Sequence, residues 1–415
     1  MTTSVRPAAA RRPKGTPPGL LRGIYLPRSM DAVAFAMTTY GIPLLVLATT
    51  GSGALTGLAF AAEWVPRLMA FALAGTLVGR YGTTRVLRCA STARALVVLA
   101  AALLLPAQST GPGATATVML LAASTGILTE FSYIAAETAG GLASRTAGTD
   151  AHRIQSALFG IDQTATLAGP ALAGLLLNIS GPAGMLTVIA AFSLLASAFT
   201  PSQHRGQRCA DRAPGRQGLR TGWSTLRALP ALAWLVTGLC VSNLAIGLLQ
   251  AAAPVIVIKQ FGHTSADVGL LWSAAAVATL GAITVCRRAI DRYGLWPVGA
   301  ASAGLAALAC LALSLTHTYG AYLTLTAVLM IGEGGLTVVL RTLRSHLIPA
   351  ETFGTTLALT ILLLLLPFPL AGLLVAAIPP VLLSHALTVC AVLQALGLAT
   401  AFTRLRTAPV LRAAT

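Results

Sequence analysis

Long apolar runs alternate with short polar connections along most of this chain. Each run holds about 18 or more residues, which is enough for an α-helix to cross the hydrocarbon core of a bilayer. The pattern predicts twelve spans, at about 30–49, 54–78, 88–107, 116–138, 155–177, 182–200, 231–257, 267–288, 297–316, 320–340, 355–376 and 380–402. Open sheets are excluded in lipid because their edges leave backbone groups unpaired. The chain is therefore predicted to be an all-α membrane protein.

The spans fall into two sets of six on either side of a polar stretch. This arrangement predicts a basic N-terminal segment (1–29), a six-helix bundle (30–200), a linker (201–230), a second six-helix bundle (231–402) and a C-terminal tail (403–415). The linker carries six arginines among glycines and prolines: Arg205, Arg208, Arg212, Arg216, Arg220 and Arg227. A basic segment beside a membrane can lie on anionic headgroups, and we interpret the linker as a cytoplasmic connection of this kind.

Composition and charge placement support the membrane interpretation. Only 9% of the residues are charged, against about 25% in a typical soluble domain. The formal net charge of +17 would suit a nucleic-acid-binding surface, but the arginines are concentrated in the connections that follow even-numbered spans. This bias is typical of connections that stay on the cytoplasmic side. It predicts a multi-pass protein of the bacterial inner membrane, with both termini cytoplasmic and no nucleic-acid partner.

A short arginine-rich turn occurs twice between apolar runs. Arg80-Tyr81-Gly82 follows the second span and Arg292-Tyr293-Gly294 follows the eighth, at a separation of 212 residues. The separation is about half the chain, so the two turns indicate an internal repeat. Transporters are commonly built from such repeats, with a substrate site between them.

These turns resemble the cytoplasmic motif of the major facilitator superfamily, which has the form G-x-x-x-D-R-x-G-R. In the first copy Gly75, Arg80 and Gly82 match, Arg85 lies near the later basic positions, and Gly79 replaces the aspartate. The second copy keeps Asp291, Arg292 and Gly294 but has Arg287 in place of the leading glycine. The resemblance implies twelve helices in two six-helix pseudo-repeats, alternating access, and gating by these two hinges.

The fifth span carries Gly169-Pro170-Ala-Leu-Ala-Gly174, which resembles the Gly-Pro motif of the antiporter and exporter branches of that superfamily. Proline bends a helix and glycine lets helices approach closely. A looser copy occurs in the eleventh span at Pro367, Pro369 and Gly372.

Two further segments, Gly41–Gly53 and Ala61–Arg67, are similar to exporters related to macrolide-efflux and enterobactin-efflux proteins. The resemblance implies proton-coupled efflux of a small amphipathic molecule, such as an antibiotic, another drug or a siderophore. Uptake of a siderophore or nutrient is the alternative. A polytopic membrane enzyme is a remote one, because the acidic residues are spread over separate helices.

Acidic residues within the spans are candidates for proton coupling or for the substrate cavity, because a charge near the bilayer centre costs ~2.5–3.5 kcal/mol. Glu63 and Arg67 are four residues apart in the second span and can meet on one helix face. They form either a self-compensating structural pair or part of the cavity. Glu130 lies in the middle of the fourth span with no basic residue on its own helix, which favours a cavity carboxylate.

Four other acids have weaker assignments. Asp162 in the fifth span is either a proton site or a buried packing residue, and Glu137 is expected at the membrane interface. Glu333 is the one acid predicted near mid-membrane in the second half, among glycines. Asp31, at the predicted start of the first span, is either a helix cap or a proton carrier. Arg94 in the third span is expected to snorkel towards the cytoplasm.

No motif for a bound cofactor or metal ion is present in the sequence. The P-loop pattern G-x-x-x-x-G-K-[ST] is missing, so transport would depend on an ion gradient or be passive. The six cysteines are scattered and suggest neither a disulfide framework nor a metal site. The expected partners are a small-molecule substrate, protons and the lipid bilayer, with the protein functional as a monomer.

Overall fold

The computed structural model describes residues 20–108, 111–147, 151–201 and 216–406, which are helical almost throughout. Most of the predicted N-terminal segment (1–19), the first part of the linker (202–215) and the end of the tail (407–415) lie outside the described residues.

Six helices form the first half. They are α1 (Leu26–Thr50, after a π-helical turn at Leu21–Tyr25), α2 (Gly53–Tyr81), α3 (Thr83–Leu104), α4 (Pro112–Ala147), and α5 and α6, which share the run Ala151–Phe199. The rest are α7 (Arg216–Ala228), α8 (Pro230–Val255), α9 (Ser265–Tyr293), α10 (Leu295–Ser314), α11 (Tyr319–Leu347), α12 (Phe353–Leu365), α13 (Pro367–Ala377) and α14 (Leu383–Arg406). α7 occupies the described part of the linker and packs on α12.

The run Ala151–Phe199 is two spans joined at Gly181. This residue has φ +69° and ψ −171°, a backbone conformation that is strained for any residue with a side chain. Ala173, before the break, and Met185, after it, both lie beside Gly41 of α1. The chain therefore reverses at Gly181, and we take α5 as 151–180 and α6 as 182–199.

The predicted eleventh span is broken into α12 and α13. Pro367 and Pro369 lie in the first turn of α13, and proline has no N–H to continue the hydrogen-bond ladder of the preceding helix. With α12 and α13 taken as one span, ten of the described helical runs are long and apolar enough to cross a membrane, or eleven when α2 is counted as one bent span. Division of Ala151–Phe199 at Gly181 brings the number to twelve. This agrees with the twelve predicted.

The internal repeat extends well beyond the hinge turns. α2 and α9 are both 29 residues long, and they begin at equivalent caps, Ser52 and Thr264, which are 212 residues apart like the hinges. Gly82 and Gly294, which end these helices, both have φ +86°. The hinge arginines also match, since the guanidinium carbon of Arg80 lies 5.3 Å from the Tyr81 ring and Arg292 repeats this distance on its own tyrosine.

We call the side of the membrane that carries the hinge turns the basic face, and the opposite side the Arg-poor face. Near the Arg-poor face the two halves meet along two seams. α2 packs on α13 where Gly57 faces Gly372, and α5 packs on α9 where Gly174 faces Gly269. The Ser265 hydroxyl donates to the Gly174 carbonyl oxygen at 3.1 Å across the second seam. The halves are thus joined at the Arg-poor face.

Candidate proton and substrate site

A buried cluster of one arginine and two carboxylates lies within the first half. Nε of Arg67 donates to Oε2 of Glu130 at 2.9 Å, and Nη1 of Arg67 lies 3.9 Å from Oε1 of Glu63. All three side chains are at most 7% exposed. Glu63 is about 15 Å along α2 from its first residue, so the cluster lies deep in the membrane.

The cluster unites three predicted site residues and revises their pairing. Glu63 and Arg67 share a face of α2 as expected, but the closer partner of Arg67 comes from α4. Gly126 makes this approach possible, because a side chain there would overlap the Glu63 carbonyl oxygen. Glu130 therefore has a basic partner, one that lies on a neighbouring helix.

Aromatic rings enclose the guanidinium group of Arg67. Its central carbon lies 4.6 Å from the Phe35 ring centroid and 4.4 Å from that of Trp64, distances typical of cation–π contacts. Trp64 in turn stacks on Phe368 of α13 at 4.4 Å between centroids. A continuous stack thus runs from the buried charge cluster to the other half of the protein.

Several polar atoms around this cluster are buried without a hydrogen-bond partner among the described residues. They are Oε2 of Glu63, Nη1 of Arg67 and Nε1 of Trp64. Buried polar atoms are normally paired, because an unpaired one costs ~1–3 kcal/mol. The cluster therefore has capacity for a proton or for the polar groups of a ligand.

A second charge pair, Asp31 with Arg94, is fully enclosed. Nη2 of Arg94 donates to Oδ1 of Asp31 at 2.7 Å, and its other nitrogens donate to Ser193 at 2.9 Å and Ser132 at 3.1 Å. The Arg94 side chain is 0% exposed, so the expected snorkelling is wrong because a buried carboxylate holds the group in place. The helix-cap interpretation of Asp31 is also wrong, since α1 begins at Leu26, five residues earlier.

A third cluster lies nearer the basic face. Arg28 forms ion pairs with Asp162 at 2.6 Å and Glu137 at 2.7 Å. The two carboxylates are 32% and 57% exposed, which fits the interfacial position expected for Glu137. Arg28 was not identified from the sequence because it lies just before the first apolar run, where an arginine looks like an ordinary interfacial charge.

Glu333 lies in a separate polar cluster of the second half. Ser242 donates to Oε1 of Glu333, and Nε2 of Gln394 lies 3.1 Å from the same oxygen and 2.7 Å from the Ser242 hydroxyl. Glu333 is 7% exposed, and the contacts of its carboxylate among the described residues are the hydrogen bonds from these two neutral side chains. Ser242 and Gln394 were not predicted, although an isolated glutamine within an apolar span is a signal of this kind.

The remaining predicted residues lie outside these clusters. Gly169 packs against Ala36 of α1 and Gly174 against α9, so the Gly-Pro motif belongs to a helix seam. Arg80, Arg85, Asp291 and Arg292 are exposed at the basic face, while Gly75 is half-buried and Gly82 buried. Within the described part of the chain, no group of three or more His, Cys, Asp and Glu residues could hold a metal ion.

Comparison with known proteins identifies the family. A family model described as Major Facilitator Superfamily matches residues 28–371. A bacterial homologue of the iron transporter ferroportin, solved in an inward-facing state, is 15% identical with a TM-score of 0.72, covering 92% of this chain and 98% of its own. A D-xylose–proton symporter is 14% identical with a TM-score of 0.70, covering 91% and 96%. No curated protein sequence matches the chain significantly. At these identities the structural likeness shows the fold alone.

Proposed function

The chain belongs to the major facilitator superfamily, and from that membership we propose that it is a proton-coupled secondary transporter that exports a small amphipathic molecule. Its two halves would rock about the buried clusters and expose them to each face in turn. The observation that carries the proposal is the Arg67 cluster, whose charges contact the aromatic stack that joins the halves.

Charge balance favours this cluster as the proton site. Arg67 faces two carboxylates, so the group carries a net negative charge when both are ionised, and one proton neutralises it. Asp31 and Arg94 form a balanced pair, which needs no proton. Buried net charge is costly, so proton uptake and release at Glu63 or Glu130 would be coupled to a change in exposure of the cluster.

Glu333 is a second candidate proton site. It is buried and held by neutral partners, Ser242 and Gln394, so it too carries a net charge when ionised. Arg28 also faces two carboxylates, but Asp162 and Glu137 are 32% and 57% exposed, so water can offset their negative charge and Asp162 is the weaker candidate.

Because the halves are joined at the Arg-poor face, an opening between them would lie towards the basic face. With that face cytoplasmic, as the arginine distribution predicts, this conformation would correspond to an inward-facing state. The Gly-Pro motif of α5 favours antiport over symport by resemblance, and hence efflux. The aromatic surroundings of Arg67 suit a substrate with apolar rings and some polar groups, which fits an antibiotic or a siderophore. Proton-driven uptake is the alternative.

Transport into inside-out vesicles tests both direction and coupling. Vesicles with an acidic interior should accumulate a macrolide or a catecholate siderophore if the protein is an exporter, and should release protons as they do so. Glu130→Gln should abolish coupled transport, whereas Glu137→Gln, which removes an exposed carboxylate of the same helix, should retain it. Equal coupled transport by both variants would refute the role of the Arg67 cluster, and accumulation only in right-side-out vesicles would establish uptake.

A further inference from the structure

Two grooves of similar size lie on the outer surface of the protein, one on each half. The first, of about 400 Å³, is formed by α2, α3 and α4, and the second, of about 390 Å³, by α9, α10 and α11. Seven pairs of lining residues are each 212 residues apart, among them Tyr81 and Tyr293, Arg85 and Pro297, and Cys89 and Ala301. The grooves are thus equivalent sites of the internal repeat.

The two grooves differ by one charge. Each ends at a hinge tyrosine whose ring is covered by the preceding arginine. Arg85 lines the first groove, whereas the equivalent position in the second is Pro297 and none of the residues lining that groove is charged. Arg287 and Arg288 lie near the end of α9 that carries the hinge turn, but they do not line the second groove.

The first groove is apolar along its length and opens to lipid. The exposed stripe that begins with Arg85 and Cys89 continues along α3 through Leu96, Leu99 and Leu103. The sequence contains no acidic residue between Glu63 and Glu130, so α3 and the part of α2 that follows Glu63 hold no carboxylate to offset the positive charge at the basic end of the groove. In the second half Asp291 adjoins Arg292 at the equivalent end.

We propose that the first groove is a binding site for an anionic glycerophospholipid. Its phosphate contacts Arg85 at the basic face, and an acyl chain lies in the groove beside Cys89 and along the exposed stripe of α3. A groove of this shape accepts any acyl chain, and Arg85 supplies the preference for negative charge. The second groove accommodates lipid without that preference. This inference does not depend on the identity or direction of the transported molecule.

Native mass spectrometry of the purified full-length chain tests the proposal. The protein is titrated with phosphatidylglycerol and with phosphatidylcholine of identical acyl chains. The wild type should retain phosphatidylglycerol preferentially, and Arg85→Gln should reduce that preference about fivefold, since one basic residue near a membrane surface contributes ~1 kcal/mol. Arg85→Lys should keep most of it.

Two matched variants distinguish a site from general attraction to positive charge. Arg287→Gln removes an arginine at the same face outside both grooves and should leave the preference unchanged. Pro297→Arg introduces the missing charge into the second groove and should add a second preferred phosphatidylglycerol. Equal loss in Arg85→Gln and Arg287→Gln, or no preference in the wild type, would overturn the proposal.

The acyl chain is tested separately. Ala93→Phe fills part of the first groove and should lower retention of both lipids, while an unchanged melting temperature confirms that the variant is folded. Glycerol 3-phosphate should fail to displace bound phosphatidylglycerol at equal concentration, because it lacks the acyl chains. Displacement at equal concentration would mean that the groove binds a soluble anion and not a lipid, which contradicts the proposal.

Discussion

Gly57→Ala should shift the protein away from the conformation closed at the Arg-poor face. A methyl carbon at Gly57 would lie 2.5 Å from the Ala376 amide nitrogen and 2.6 Å from the Gly372 carbonyl oxygen. Ordinary contact begins at about 3.4 Å, so α2 and α13 would have to separate by about 0.9 Å. Both neighbours are backbone atoms, which cannot rotate away.

The free-energy cost of separating α2 from α13 follows from the overpacking of their contact. Overpacking of a close-packed contact costs ~1–3 kcal/mol, which corresponds to a change of about 5- to 150-fold in the ratio of two conformations. The cost falls only on the state in which the seam is formed. The substitution should therefore enrich conformations in which the Arg-poor face is open.

Double electron–electron resonance measures this change directly. Spin labels at Ala107→Cys and His317→Cys, in a background without the native cysteines, report on the distance between the halves at the Arg-poor face. Gly57→Ala should add a longer distance to the distribution. Gly281→Ala, on the equivalent helix α9 but facing open space, is the matched control and should not. Identical distributions for the two variants would refute the role assigned to the glycine seam.

Two further predictions concern charged residues. Asp291→Asn should impair transport more than Gly79→Ala, because Asp291 is the one hinge aspartate and its exposed carboxylate can pair when the basic face closes; equal transport by Asp291→Asn and wild type would contradict this. Arg94→Leu should destabilise the protein by ~3–5 kcal/mol, since it leaves Asp31 buried and unpaired. A thermal-unfolding measurement in detergent should show a large fall in melting temperature, which Arg94→Leu combined with Asp31→Leu should partly restore.

The fold was predictable from the sequence because its main determinants are local. Span lengths depend on runs of apolar residues, and the repeat is visible in the duplicated hinge. Gly82 and Gly294 confirm that duplication in their matching positive φ. The break between α12 and α13 was harder to predict from the sequence. Prolines are common within membrane spans, and packing against neighbouring helices decides whether the helix continues.

The pairing of charges was not predictable in the same way. Arg67 and Glu130 are 63 residues apart, and Arg94 and Asp31 are also 63 apart, so each contact depends on how helices pack. The sequence identified Glu63 with Arg67 because both lie on one helix at a spacing of four. It could not show that Arg94 turns inward, since an arginine in that position can reach either a carboxylate or the membrane surface.

We propose that protonation of the Arg67 cluster changes which face of the transporter is open. The most direct measurement is the distance between labels at Ala107→Cys and His317→Cys between about pH 5 and about pH 8. The short- and long-distance populations should exchange with pH, and Glu63→Gln combined with Glu130→Gln should abolish the exchange. A distribution independent of pH in the otherwise unaltered protein, or an unchanged pH response in the double variant, would contradict it.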